Sequence, residues 1–306
     1  MEDTHQPAVI DANTSNVEQA AVWTIGRLLN WTAAYLTEKR SEYPRLDAEV
    51  LLAHTLGCRR IELYTRHSEK APEEARTRFK ELIRRRVEGC PVAYLVGRKE
   101  FFSLEFEVTP AVLIPRPDTE CVVLECLRLA KYFTEPAILD LGTGSGNIAV
   151  AVAHQLKSAR VSAVDASQEA LGVAQRNAKK HGVSDHITFL QGNLFEPVST
   201  EGPFDFILSN PPYIPSTEIA NLPIGVHDYE PHVALDGGAD GFAVFDRIVD
   251  QARTFLKPGG YLILEIGAPQ EIRAREKLGR IADYDLGPTI PDGAGHPRVL
   301  RARSRL

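Results

Sequence analysis

Five short apolar runs, Ala137–Leu141, Arg160–Asp165, Ile187–Gln191, Phe204–Ser209 and Gly260–Ile266, alternate with helical stretches such as Asn147–Gln155 and Gln168–His181. No other pattern in the chain constrains its fold so tightly. Strands that alternate with helices predict right-handed βαβ units, hence an α/β class with a parallel sheet covered on both faces. The 306 residues exceed what such a sheet needs, so a second, smaller domain is expected.

That second part lies ahead of the sheet. Residues 1–17 show no apolar period, and a disordered tail is predicted over 1–19. Met1 to Asn16 has neither a basic flank nor an apolar stretch, so it does not read as a secretory signal. From about Ala20, Trp23, Leu28, Trp31 and Tyr35 fall near helical spacing, ending before Tyr43-Pro44. A second helix fits Arg45–Leu56, closed by Gly57, and a third fits Glu73–Val87, opened by Ala71-Pro72 and stopped by Gly89. A helical domain over 20–89 follows. The alternating stretch 101–114 predicts a hairpin inside a connecting segment over 90–118, and a further helix fits Thr119–Tyr132.

Charge is uneven along this organisation. Residues 21–100 hold 16 Lys/Arg and 11 Asp/Glu, a net of +5, whereas the whole chain is at -6. A chain-wide nucleic-acid binder is therefore disfavoured, and the basic face around Arg76, Arg78, Lys80, Arg84, Arg85 and Arg86 is either a solvated helix surface or a docking face for an acidic partner. No run reaches the length of a membrane span. Four cysteines (Cys58, Cys90, Cys121, Cys126) form no C-x-x-C pair, and no His/Cys cluster offers a metal site. Reduced thiols and a cytoplasmic location are expected.

The chemistry-bearing residues stand where the strands end. The first strand runs into Gly142-Thr143-Gly144-Ser145-Gly146, and the second ends at Asp165. Glycines let a ligand approach the main chain, and a carboxylate at the second strand tip can accept from two ribose hydroxyls. The spacing is G-x-G-x-G, so a pyrophosphate is not demanded. This loop with its acidic partner resembles class I S-adenosylmethionine-dependent methyltransferases. The resemblance implies that the loop lies beside the methionine part of S-adenosyl-L-methionine and that Asp165 binds the ribose. It also places Asn193 and Leu194, after the third strand, at the adenine. The family often has a carboxylate where this chain has Asn193, whose side-chain oxygen can still accept a hydrogen bond, without charge.

The fourth strand ends in Asn210-Pro211-Pro212-Tyr213. At about 5% usage per residue type, one given tetrad arises by chance in roughly 0.002 of chains this long, so its placement at a strand tip calls for a reason. A planar amide or aryl-amine nitrogen is a poor nucleophile because its lone pair is delocalised. The Asn210 side-chain oxygen and the Pro211 carbonyl can hold its two N–H groups and favour the charge that builds on nitrogen during attack. The prolines fix φ and keep those acceptors in place. Tyr213 offers a flat face for stacking. Catalytic roles fall to Asn210 and Pro211, and substrate contacts to all four residues, with Asn210 also beside the cofactor.

Such tetrads occur in methyltransferases acting on exocyclic adenine nitrogen and in those acting on protein glutamine. Cys90–Phe102, Leu113-Ile114-Pro115-Arg116-Pro117-Asp118-Thr119-Glu120, Tyr229-Glu230-Pro231 with Leu235–Gly241, and Gly295-His296-Pro297-Arg298-Val299 closely resemble segments of the HemK-type peptide chain release factor glutamine methyltransferases. The resemblance spans about residues 20–302. It implies a small N-terminal helical domain that meets the substrate, a connecting β-hairpin, and a Rossmann-like seven-stranded methyltransferase domain over 119–306. It also implies transfer of a methyl group to the side-chain amide nitrogen of glutamine in the Gly-Gly-Gln motif of release factors. A related branch modifies a ribosomal protein glutamine but tends to carry Pro-Arg-Ser where this chain has Pro115-Arg116-Pro117, which favours release factors as partners. An adenine methyltransferase would be expected to show a basic groove and a target-recognition insertion, and neither a direct nucleic-acid target nor a membrane partner is expected. Arg116, between two prolines, either contacts substrate or braces the domain junction. Glu265 either faces the site or bonds a loop.

Overall fold

The computed structural model describes residues 22–305; the tail expected over 1–19 lies outside them. The chain divides into two compact units, Met1–Ile83 and Arg84–Leu306, with the division inside α4.

The first unit contains α1 (Ile25–Glu38), α2 (Pro44–Leu56), α3 (Glu62–Thr65) and most of α4 (Glu73–Val87). Local chemistry sets these ends. The Thr24 hydroxyl accepts the Arg27 N–H at 3.2 Å and caps α1. Pro44 stands in the first turn of α2, where its missing N–H is not needed, and Gly57 closes that helix at φ 62°. The buried face of α1 is Ile25, Leu28, Leu29, Thr32 and Leu36. Of the four residues read at helical spacing, Leu28 belongs to this face and the aromatic ones do not: Trp31 is 53% exposed, stacked on Tyr35 at 5.3 Å and edge-on to Trp23 at 6.1 Å. Both sets fit a helical period, but the aliphatic one forms the continuous strip that packs on α2.

The second unit continues with α5 (Val92–Val96), β1 (Arg98–Phe101), β2 (Leu104–Glu107) and α6 (Glu120–Ala130). The hairpin comes earlier than its expected 101–114. Its turn is Phe102-Ser103, at φ 52° and 58°, pairing Phe101 with Leu104. Such turns are usually signalled by Asn or Gly, and neither stands here. Val112–Ile114, expected as the second arm, is irregular chain.

Then follow β3 (Ala137–Leu141), α7 (Asn147–Gln155), β4 (Arg160–Asp165), α8 (Gln168–Lys180), β5 (Ile187–Gln191), β6 (Phe204–Ser209), α9 (Ile224–His227), α10 (Ala243–Phe255), β7 (Leu256–Glu265), α11 (Glu271–Gly279), β8 (Tyr284–Leu286), β9 (Ile290–Pro291) and β10 (Pro297–Ser304). The sheet order is β5-β4-β3-β6-β7-β10-β8, with β9 paired to β10. Strands β3 to β7 are parallel. The sheet is mixed rather than all-parallel, because β10 runs antiparallel to β7, β8 and β9. Strand β7 begins earlier than Gly260, carrying through Lys257-Pro258-Gly259 with a register shift opposite Phe204/Phe206.

Alternation along each strand feeds two cores. Ile138, Phe206, Leu208, Ile263 and Val299 face α6 and α7, while Leu139, Leu141, Ile207, Leu262, Leu264 and Leu300 face α10 and α11. Sequence neighbours β3 and β4 lie side by side, yet β3 also pairs with β6 on its other edge. Strand order reverses there, and the crevice outside the carboxyl ends is where such sheets bind ligands. Among the described residues no helix is long and apolar enough to cross a membrane.

Candidate active site

A cleft opens at those carboxyl ends. Its walls include Gly142, Thr143, Gly144 and Ser145 after β3, Asp165 after β4, Asn193 and Leu194 after β5, and Asn210, Pro211 and Pro212 after β6. Arg116 and Thr119 join from the segment before α6, and Pro231, Val233 and Ala234 from a later loop. Gly146 and Tyr213 do not line it. Gly146, at φ 79°, starts α7, and a Cβ there would stand 3.0 Å from the Ala174 Cβ, so its task is close helix packing. The Tyr213 ring sits by Gly267, and burial raises its phenol to about 12.

The loop after β3 is held by main-chain bonds. The N–H groups of Gly142 and Thr143 both donate to the Val164 carbonyl at 2.9 Å, and the Gly144 N–H donates to Asp165 Oδ2 at 2.8 Å. Gly142 and Gly144 have φ 70° and 55°, a region L side chains rarely adopt. A Cβ on Gly142 would meet nothing within 4 Å, and one on Gly144 only the Gly142 carbonyl at 4.0 Å. The open side of the loop is therefore bare backbone. The Asp165 Oδ1 accepts the Ser167 N–H at 2.9 Å. Each carboxylate oxygen keeps a lone pair for a hydroxyl, and burial raises the acid above the usual carboxylate value. Behind the loop, Asp140 is fully buried and accepts from the Thr143 hydroxyl at 2.7 Å and the Ala149 N–H at 3.2 Å. Burial outweighs those bonds and pushes it up to about 7.

The opposite wall rests on side chains. Residues Phe204 to Ser209 are all buried, and the register of Ser209 with Leu264 sets Asn210 beside Glu265 at the end of β7. The Asn210 amide Nδ2 donates to Thr119 Oγ1 at 3.1 Å. The Thr119 hydroxyl donates to Glu265 Oε2 at 2.6 Å. With Nδ2 committed to Thr119, Oδ1 is left as the acceptor end of Asn210. Gln270 fixes the chain beyond the prolines: its Nε2 donates to the carbonyls of Tyr213 at 3.1 Å and Gly241 at 3.0 Å, while its Oε1 accepts the Gly267 N–H at 3.0 Å. A Cβ on Gly241, at φ 77°, would press within 2.5 Å of the Tyr213 carbonyl.

Arg116 braces rather than stands free. Its Nη2 meets Glu230 Oε1 at 2.5 Å, and Glu230, itself buried, also accepts the Ile114 N–H at 3.3 Å.

Comparison with known proteins matches two stretches of the chain. The model of the PrmC N-terminal domain matches residues 27–97, and that of the Methyltransferase small domain matches residues 119–222. A release factor glutamine methyltransferase of Rhodopirellula baltica is 44% identical over 293 residues, covering 94% of this chain and 98% of that one. One of Geobacter sulfurreducens is 45% identical over 286 residues, covering 94% and 99%. The chain belongs to the release factor glutamine methyltransferase family. Among solved structures, the hMettl16 catalytic domain in complex with MAT2A 3'UTR hairpin 6 shares the fold, with a TM-score of 0.55 at 17% identity over 76% of this chain and 82% of that one.

Thr119 and Asn177 escaped the sequence reading of this family member as site residues, and Glu265 stood there between facing the site and bonding a loop. Thr119 and Glu265 form the support of Asn210, and the signal for the second was a carboxylate closing the apolar run Leu262–Leu264. Asn177, fully buried on α8, donates to the carbonyls of Ser145 at 2.9 Å and Glu107 at 3.0 Å and accepts the Glu107 N–H at 2.7 Å. It ties the glycine loop to the hairpin, and its signal was a polar residue on the apolar face of α8.

Proposed function

We propose that this chain methylates the side-chain amide nitrogen of the glutamine in the Gly-Gly-Gln motif of peptide chain release factors, using S-adenosyl-L-methionine. One observation carries the reading: Asn210, Pro211 and Pro212 share a cleft with the glycine loop and Asp165. Asp165 would hold the ribose hydroxyls, Asn193 and Leu194 the adenine, and the bare backbone of Gly142 and Gly144 the methionine part. The open face of that loop fits a group lying flat on the main chain. When bound, the sulfonium would supply an activated methyl group to the substrate nitrogen, which would give up one amide proton to water.

The protein's own task is to make a weak nucleophile competent. Asn210 Oδ1 and the Pro211 carbonyl accept the two substrate N–H groups, orient the nitrogen lone pair and stabilise the positive charge that develops on it. The prolines hold both acceptors at fixed φ, so little ordering is needed at each turnover. Substrates of this kind belong to translation termination, which locates the enzyme in the cytoplasm.

The test is incubation with labelled cofactor and purified release factor, then mass spectrometry of the Gly-Gly-Gln peptide. Methylation of that glutamine, and no label on a factor with the glutamine replaced, is the expected outcome. Label elsewhere, or none on the wild-type factor, sinks the reading.

A further inference from the structure

Asn210 is useful only if it presents oxygen, not nitrogen, to a substrate amide N–H. A primary amide is nearly symmetric in shape, so packing alone does not choose between its two ends. The choice is made by its neighbour. Thr119 has a single hydroxyl proton, and that proton goes to Glu265 Oε2 at 2.6 Å. The Thr119 oxygen can then only accept, and it takes the Asn210 Nδ2 proton at 3.1 Å. Each bond in the series points toward the carboxylate.

We propose that Thr119 and Glu265 act as positioning residues whose hydrogen-bond direction decides which end of the Asn210 amide faces the acceptor. The proposal rests on the reading of the cleft as a glutamine methylation site. If Glu265 gains a proton, it becomes a donor to Thr119. The Thr119 hydroxyl is then free to donate to Asn210 Oδ1, and the amide turns over. Nδ2 would face the substrate N–H, donor against donor, and the site would hold its ligand badly or not at all. The one covalent change is the O–H bond formed on Glu265 with a proton taken up from solvent; all else is exchange of hydrogen bonds.

The surroundings make that proton accessible near neutrality. Glu265 is 1% exposed, and burial pushes its carboxyl up to about 7. Several groups face it. The Thr119 hydroxyl and the guanidinium groups of Arg298 on β10 and Arg116 before α6 pull it down, while Asp118 pushes it up. Cys121 on α6 and Tyr213 after β6 also feel its charge. Arg298 does not cancel it, because its Nη2 is held by Asp118 and Asp292, each at 3.1 Å. Functional direction therefore belongs to the ionised form. It is present above the Glu265 pKa and lost as pH falls through it.

Two arms test this. The first needs no substrate: the side-chain amide pair of Asn210 is followed in 15N–1H spectra, assigned by its loss in Asn210→Asp. It should shift with one midpoint near 7 in the wild type and stay fixed in Glu265→Gln. A wild-type pair that does not move over about one pH unit either side of 7 overturns the relay, whatever the variants do. The second arm is steady-state methylation of release factor. Thr119→Val should lower kcat on the order of 10- to 100-fold with cofactor affinity retained, Thr119→Ser should restore it, and Glu265→Gln should remove the acid limb of the kcat profile. Unchanged kcat in Thr119→Val, or an acid limb that survives in Glu265→Gln, overturns the proposal. If wild-type enzyme leaves the Gly-Gly-Gln glutamine unmodified while the Asn210 pair still titrates, the functional reading fails and the relay stands.

Discussion

On the side of the cleft made by β3, β4 and β5, the glycine loop is bare main chain braced on the Asp165 carboxylate; on the side made by β6 and β7, Asn210 is held in a series of amide, hydroxyl and carboxylate. The first side takes its shape from backbone dihedrals, since Gly142 and Gly144 sit at positive φ and the Asp165 carboxylate is pinned by the N–H groups of Gly144 and Ser167. The second takes its shape from partners far apart in the chain: Thr119 lies 91 residues from Asn210 and 146 from Glu265. The contrast suggests a division of labour. A rigid backbone cradle suits a cofactor that is the same at every turnover, whereas a protonatable side-chain series suits a step whose charge changes during reaction.

Substitutions can separate the two sides. The largest effect is expected for Asn210→Ala, a loss of turnover on the order of 100-fold with cofactor binding largely intact. Stopped-flow methylation beside calorimetric titration of the cofactor checks it, and near-normal turnover would mean that the side-chain wall is not the chemical one. Next comes Asp165→Ala, which should weaken cofactor binding by ~1.5–3 kcal/mol per charged hydrogen bond lost while single-turnover chemistry at saturating cofactor changes little. Unchanged affinity would take Asp165 out of the cradle. The smallest effect is expected for Gln270→Ala. It removes three neutral bonds, two to the carbonyls of Tyr213 and Gly241 and one from the Gly267 N–H, worth about 1 kcal/mol each, and should cost turnover several-fold without touching cofactor affinity. Cofactor binding that falls instead would show that the two walls are mechanically coupled.

The same contrast explains what could be read from the residues alone. The glycine loop and Asp165 were legible because positive φ demands glycine and because the strand-loop-helix pattern is local. The tetrad was legible because two prolines at a strand tip are rare. Thr119 was not, and Glu265 was legible only as one of two alternatives, since each acquires its meaning only when β6 and β7 lie side by side in the register of Ser209 with Leu264. The hairpin turn misled for the opposite reason: Phe102-Ser103 adopts a conformation that neither residue type advertises. In α1, periodicity found the helix but not its inner face, because Trp23, Trp31 and Tyr35 cover one another outside the aliphatic strip.

The chain-order spread of the acceptor wall also has a consequence for biosynthesis. Every residue of the cradle has been polymerised once Leu194 is added, yet the carboxylate that anchors Asn210 through Thr119 is made 71 positions later. Leu139 and Leu141 nonetheless share one core with Leu264, Leu278 and Leu300, so a product stopped short of residue 265 would leave the cradle strand without half of its packing, and a nascent polypeptide completes pocket and aim together.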